Sequence, residues 1–353
     1  MTRNFTLRLA NPKLDSIAMI ALCKRVSKWA VLFSAGILFS TGIAFGQSPS
    51  EKPKDKPAEA SQEKPAEPPN AAQIEFLETK YHFETNGDSR KEVHALVKIN
   101  SELGVRQFAR LTFDYNRSFQ AVEIPLVHIT YANGGTSDIL PSAITDAPNP
   151  AVEKYPAYHD VRVKSVRILG LQPGDSLEYR VVTTTTNHPL APNFWLSHSF
   201  DRTGVTSKQF LELDLPKSRE IQLHSSAAIP SATTEDSGEG KDARQIYRWN
   251  IAQKLAPPAE ESESDVVVTT FASWDAIAHA LRAMLTPNRS TWPPVLEKAA
   301  VLAGDRSTPE KKIRAAYDFV SQKVPTVDLP IGATGFRSRP PGEILASGYA
   351  TAE

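Results

Sequence analysis

The strongest constraint on the fold is a period-two alternation running through residues 74–251. Val93, Ala95, Val97 and Ile99 alternate with Glu92, His94, Leu96 and Lys98. Phe108, Arg110, Thr112 and Asp114 alternate with Ala109, Leu111, Phe113 and Tyr115. Similar runs, rich in β-branched and aromatic residues, follow at 161–168, 177–186, 209–215 and 245–251. Successive strand side chains point to opposite sheet faces, so each run should bury one face and wet the other. Turn chemistry separates the runs at Asn86-Gly87-Asp88, Asn133-Gly134-Gly135, Gln172-Pro173-Gly174-Asp175 and Asp236-Ser237-Gly238. No repeat of solenoid or propeller period is present. The expectation is a mainly β chain with an antiparallel β-sandwich over 74–256.

What precedes the sandwich reads as export and spacing. Lys24, Arg25 and Lys28 flank an uncharged, mostly apolar run at 29–46 that ends in the small-x-small site Ala44-Phe45-Gly46. Residues 1–46 are therefore expected to be a signal peptide or a membrane anchor through 29–46. Basic residues ahead of the run place the rest outside the cytoplasm, in the periplasm or at the cell surface. Cys23 is the single cysteine and precedes the run, so it supports neither an intramolecular disulfide nor a lipoprotein anchor. Residues 47–73 carry prolines among Lys and Glu, with few groups able to drive a core, and read as an extended linker.

Beyond the sandwich the period changes. A polar connector at 257–265 and a strand at 266–271 lead into helical spacing. Ser273 is a good N-cap, with Ile277, Ala280, Leu281 and Met284 on one face. A second helix is expected from Pro293 to Leu302, ending at Gly304. A third opens at Ser307-Thr308-Pro309-Glu310 with a Ser-to-Glu capping box, and its stripe is Ile313, Ala316, Tyr317, Val320 and Val324.

The last stretch, Pro340-Pro341-Gly342-Glu343-Ile344-Leu345-Ala346-Ser347-Gly348-Tyr349-Ala350-Thr351-Ala352-Glu353, resembles the approach to the catalytic helix of transglutaminase-like (papain-type) cores. There Tyr-Gly-Asp-Cys-Lys-Asp carries the nucleophile. The run Glu310-Lys311-Lys312-Ile313-Arg314-Ala315-Ala316-Tyr317-Asp318-Phe319-Val320 resembles the helix beneath it, while Pro325-Thr326 departs from the aromatic that often follows. Upstream, Gly170-Leu171-Gln172-Pro173-Gly174-Asp175-Ser176-Leu177-Glu178-Tyr179, Tyr247-x-Trp249 and Ser273-Trp274-Asp275 resemble a bacterial domain of unknown function that precedes such cores in envelope proteins. The resemblance implies that 266–353 is the start of an incomplete transglutaminase-like core. It also implies that Ala352 occupies the nucleophile position.

A cysteine there would gain a lowered pKa from the helix dipole and a neighbouring histidine. Alanine has no nucleophilic atom. Thr351 is the nearest hydroxyl, and its expected role is to start or cap the helix. No catalytic residue, cofactor site or metal site is assigned. The eight histidines show no HxH or HxxxH pair, and no phosphate loop, G-x-S-x-G elbow or HExxH occurs. Glu260, Glu261, Glu263 and Asp265 form an acidic run expected to be a solvated loop rather than a carboxylate pair. Arg337 and Arg339 could read a substrate carboxylate, but a plain surface pair is the expected case.

Lys plus Arg equals Asp plus Glu at 40 each, which argues against a nucleic-acid partner. The functional expectation is an exported envelope protein of the transglutaminase-like class, without catalysis and without cofactor, with a protein or peptide partner. The alternative is a non-catalytic surface binding or scaffold protein that uses the sandwich.

Overall fold

The computed structural model describes residues 70–256 and 264–353. The expected signal or anchor at 1–46, the linker up to 69 and most of the 257–265 connector lie outside the described residues.

The chain runs through β1 (Ala72–Phe83), β2 (Ser89–Ile99), α1 (Glu102–Phe108), β3 (Arg110–Asn116) and β4 (Gln120–Thr130). It continues with β5 (Thr136–Asp138), β6 (Ile144–Pro148), β7 (Val161–Arg167), β8 (Ser176–Thr185) and β9 (Trp195–His198). Then come β10 (Gln209–Pro216), β11 (Gln222–Ser225), β12 (Thr233–Ser237), β13 (Arg244–Ile251) and β14 (Val266–Thr269). The helices α2 (Trp274–Leu285), α3 (Pro293–Ala303), α4 (Pro309–Lys323) and α5 (Pro341–Ser347) close the described chain. The mainly β architecture with a helical C-terminal segment is the one expected. Strand β1 begins two residues inside the segment read as linker.

One large sheet of order β12-β13-β10-β1-β2-β8-β4-β5 forms the base. Two three-stranded sheets, β3-β7-β6 and β11-β14-β9, lie on the same face of it. Strand pairing is antiparallel except for β1 with β10, which run parallel. The hairpin with β2 takes one edge of β1, and β10 returns to the free edge after a long connection.

Alternation explains the layering. Ile74, Val97, Leu177 and Ile129 share one row across the sheet. That row packs with Leu111, Val166 and Ile168 of the β3-β7-β6 layer. Leu211, Leu213, Trp249 and Ile251 pack against Val266 and Val268 of the other small sheet. The opposite face of the base is wet and charged. Glu92 meets Arg90 at 2.8 Å and Arg180 at 3.5 Å, and Arg248 bridges Glu212 at 2.6 Å and Glu235 at 2.5 Å. Exposed pairs of this kind add little stability, and they keep the face soluble.

Helix α2 begins at the expected cap, where Ser273 Oγ accepts from Ala276 N–H. Its Ile277, Ala280, Leu281 and Met284 pack on Leu190, Phe271 and Phe336. The cap of α4 is Thr308 rather than Ser307, because Pro309 takes the first helical position and fixes the register. The apolar stripe of α4 is uncovered: Ile313 is 69% exposed, Tyr317 70% and Val320 58%. Among the described residues no helix is long and apolar enough to cross a membrane.

Candidate functional site

Helix α5 ends at Gly348, whose positive φ of 78° is the left-handed conformation that stops a helix. The chain then turns back onto the sandwich. Ala350 forms a parallel bridge with Thr326, and Val327 N–H donates to Ala350 O at 2.7 Å. Tyr349 lies against Tyr155 at 4.9 Å and Tyr158 at 6.0 Å between ring centroids. The Arg339 guanidinium sits 5.1 Å from the Tyr349 ring and 5.3 Å from that of Tyr158. Two hydroxyls complete the clasp. Tyr349 OH accepts from Ala157 N–H at 3.2 Å, and Tyr158 OH accepts from Thr351 N–H at 3.0 Å.

This geometry corrects one expectation. Arg339 is not a surface residue: it donates to Tyr349 O, Glu343 O and Ser347 Oγ of its own chain, while Arg337 is exposed. Thr351 lies in non-helical chain, with its N–H held by Tyr158. Ala352 is exposed beside it. The Glu353 carboxylate accepts from Gly332 N–H at 2.6 Å and from the Thr334 hydroxyl.

Of the acidic run only Asp265 is among the described residues, and it is not solvated. Glu260, Glu261 and Glu263 lie outside the described residues. Asp265 is 2% exposed and accepts two bonds from Arg202 at 2.5 and 2.7 Å, plus Phe200 N–H at 2.8 Å. A bidentate arginine makes that carboxylate structural. Three described histidines pair with separate carboxylates: His82 bonds Asp214 and Glu84, His94 bonds Glu178, and His128 bonds Asp138. Among the described residues no group of three or more His, Asp, Glu or Cys is placed to hold a metal ion.

A cleft of about 420 Å³ opens where neither small sheet covers the base. Its floor is two adjacent rows of the large sheet. Tyr81, Lys91 and Thr183 form one, and Phe83, Ser89, Thr185 and Gln120 the other. Asn193, Phe194, Trp195 and Leu196 form one wall. Ile331, Gly332 and Phe336 form a second, beside His188 and Leu190. Lys91 Nζ stands 5.5 Å from the Tyr81 ring centre. His188 Nδ1 accepts from Leu190 N–H at 3.2 Å, which leaves Nε2 as the donor in the neutral ring. Burial, and then the charge of Arg337, push the His188 pKa below its usual value.

The sequence carried a signal for this cleft that periodicity alone passes over. Ser89, Lys91, Thr183 and Thr185 fall in phase with apolar residues of the packed face, where the pattern calls for apolar side chains. A second hollow of about 210 Å³ is lined by Leu77, Thr79, His198, Asp201 and Gln209 among others. Burial first, and the Lys91 charge second, push His198 down to about 4 against the opposing pull of Asp265.

Residues 85–258 match the family model of DUF3857, a Domain of Unknown Function. The DUF3857 match runs from the β1–β2 turn past the end of β13 and takes in much of the floor and one wall of the cleft. Among solved structures, a provisionally assigned protease from Parabacteroides distasonis has a TM-score of 0.66 at 15% identity, covering 80% of this chain and 56% of its own. The chain thus spans little more than half the length of that protein, and at this identity the likeness is one of fold. A provisionally assigned nutrient-binding protein from Legionella pneumophila has a TM-score of 0.30 at 9% identity, over 74% of this chain and 83% of its own. An M1 zinc metallopeptidase from Deinococcus radiodurans has a TM-score of 0.30 at 9% identity, over 56% and 42%. Scores of that size carry no argument about this chain. No curated protein matches it.

Proposed function

We propose that this chain is an exported envelope protein in which a DUF3857 β-domain leads into a transglutaminase-like core lacking its nucleophile. The observation that carries the reading is Ala352. It follows Gly348-Tyr349 at the position where the resembling cores hold cysteine. Acyl transfer through a thioacyl intermediate needs a thiolate, and a methyl group offers neither a lone pair nor a proton to remove. Thr351 does not substitute for it, because a threonine hydroxyl needs an adjacent general base. The DUF3857 match and the fold likeness to the Parabacteroides distasonis protein support the class.

Purified protein should incorporate no fluorescent amine into a glutamine-containing peptide and release no ammonia from it. Turnover above a heat-denatured control would contradict the reading.

A second reading, surface recognition through the β-domain, is favoured by the cleft. Its polar and aromatic lining is the composition of a binding site, and its volume is within the usual range for small ligands.

A further inference from the structure

We propose that the cleft is a binding site for a carboxylate-bearing sugar. The inference rests on the recognition reading above and is independent of the chemistry at position 352.

The first argument is cost. Lys91, Ser89, Thr183 and Thr185 stand on the packed face of the base, in phase with residues buried elsewhere along the same strands. A lysine and a row of hydroxyls there forgo apolar burial, and sequences break their own pattern in this way mainly at functional sites.

The second argument is charge. No Asp or Glu lines the cleft among the described residues. The carboxylate of the neighbouring residue Glu92 is on the opposite face, paired with Arg90 and Arg180. Lys91 therefore supplies a positive charge that nothing in the cleft neutralises. Its field also helps to hold His198 neutral. A partly desolvated ammonium of this kind favours an anionic group.

The third argument is the mode of contact. The floor strands β1, β2 and β8 each have partners on both sides, so their backbones are already paired. An extended peptide cannot add to them as another strand, which is the main route to peptide affinity at sheets. Recognition falls to side chains: the hydroxyls of Ser89, Thr183 and Thr185, the amides of Gln120 and Asn193, and the flat ring of Trp195. A ligand dense in hydroxyls, with one carboxylate for Lys91, matches that set.

The test uses a glucuronosyl-glucose disaccharide and its methyl ester, titrated into the intact protein by calorimetry and by NMR. The expected result is saturable binding of the acid, weakened about tenfold or more in the ester and in Lys91→Met. Salt should weaken the acid and leave the ester nearly unchanged. The ester comparison uses wild-type protein, so a folding defect in the variant cannot decide the outcome. Equal binding of acid and ester would overturn the carboxylate assignment. Binding of neither would overturn the site, and so would preferential binding of an acidic tripeptide. Amine-transfer turnover in the same preparation would overturn the nucleophile-free reading and leave this one standing.

Discussion

At the scale of single residues, the buried ionisable groups set how stability responds to substitution and pH. Asp265 holds Arg202 and the Phe200 N–H from inside the core. Asp265→Ala leaves a mostly buried guanidinium without its counter-charge and should cost about 3–5 kcal/mol in denaturant unfolding. Arg248→Ala removes two exposed pairs and should cost about 1 kcal/mol or less. His198 gives a pH signature. Its folded pKa of about 4 lies below the ordinary value of 6.5, so between the two the unfolded chain binds a proton that the folded chain refuses. Stability should therefore fall as pH drops from 6.5 toward 4, by about 3 kcal/mol from this group at most. His188 acts in the same direction. His198→Gln should flatten that part of the pH–stability curve. An unchanged slope in the variant would remove the assignment. None of these roles was readable from spacing, because Asp265 sits in an acidic run that looks solvated and His198 has no patterned partner.

The elements were legible where a period persists and hidden where contacts over long sequence separation decide. The runs at 161–168, 177–186, 209–215 and 245–251 became β7, β8, β10 and β13 almost to the residue. Helix α1 was missed. Gly104 reads as a helix breaker, and the alternation around Phe108 looks continuous with β3. In the fold Gly104 is required, since a Cβ there would fall 2.2 Å from Ala71 O. Ser101 starts the helix by accepting from Gly104 N–H. Helices α3 and α4 carry a consequence of their own. Leu296 and Val301 of α3 are exposed, as are Ile313, Tyr317 and Val320 of α4. Elements with little buried apolar area open most readily. Limited proteolysis should cut within 293–323 well before the sheets. Equal resistance of the two regions would refute the picture of an uncovered helical segment.

For the whole molecule, the sequence implied sheet layers, and the structure adds how they are arranged. The parallel β1–β10 pair joins strands far apart in the chain, and periodicity carries no information on partner choice. The same arrangement leaves the centre of the base uncovered, which makes the cleft. The C-terminal clasp of Arg339, Tyr349, Tyr155 and Tyr158 was equally hidden, because it joins residues far apart in the chain. The proposal that a thiol is missing at 352 rests on the sequence resemblance. The measurement that tests it most directly is intact and peptide mass after incubation with an activated glutamine peptide, for wild type and Ala352→Cys. The account predicts no acyl adduct on wild type at any residue of 349–353. An ester at Thr351, or any acyl adduct in that segment of the wild-type chain, would contradict it.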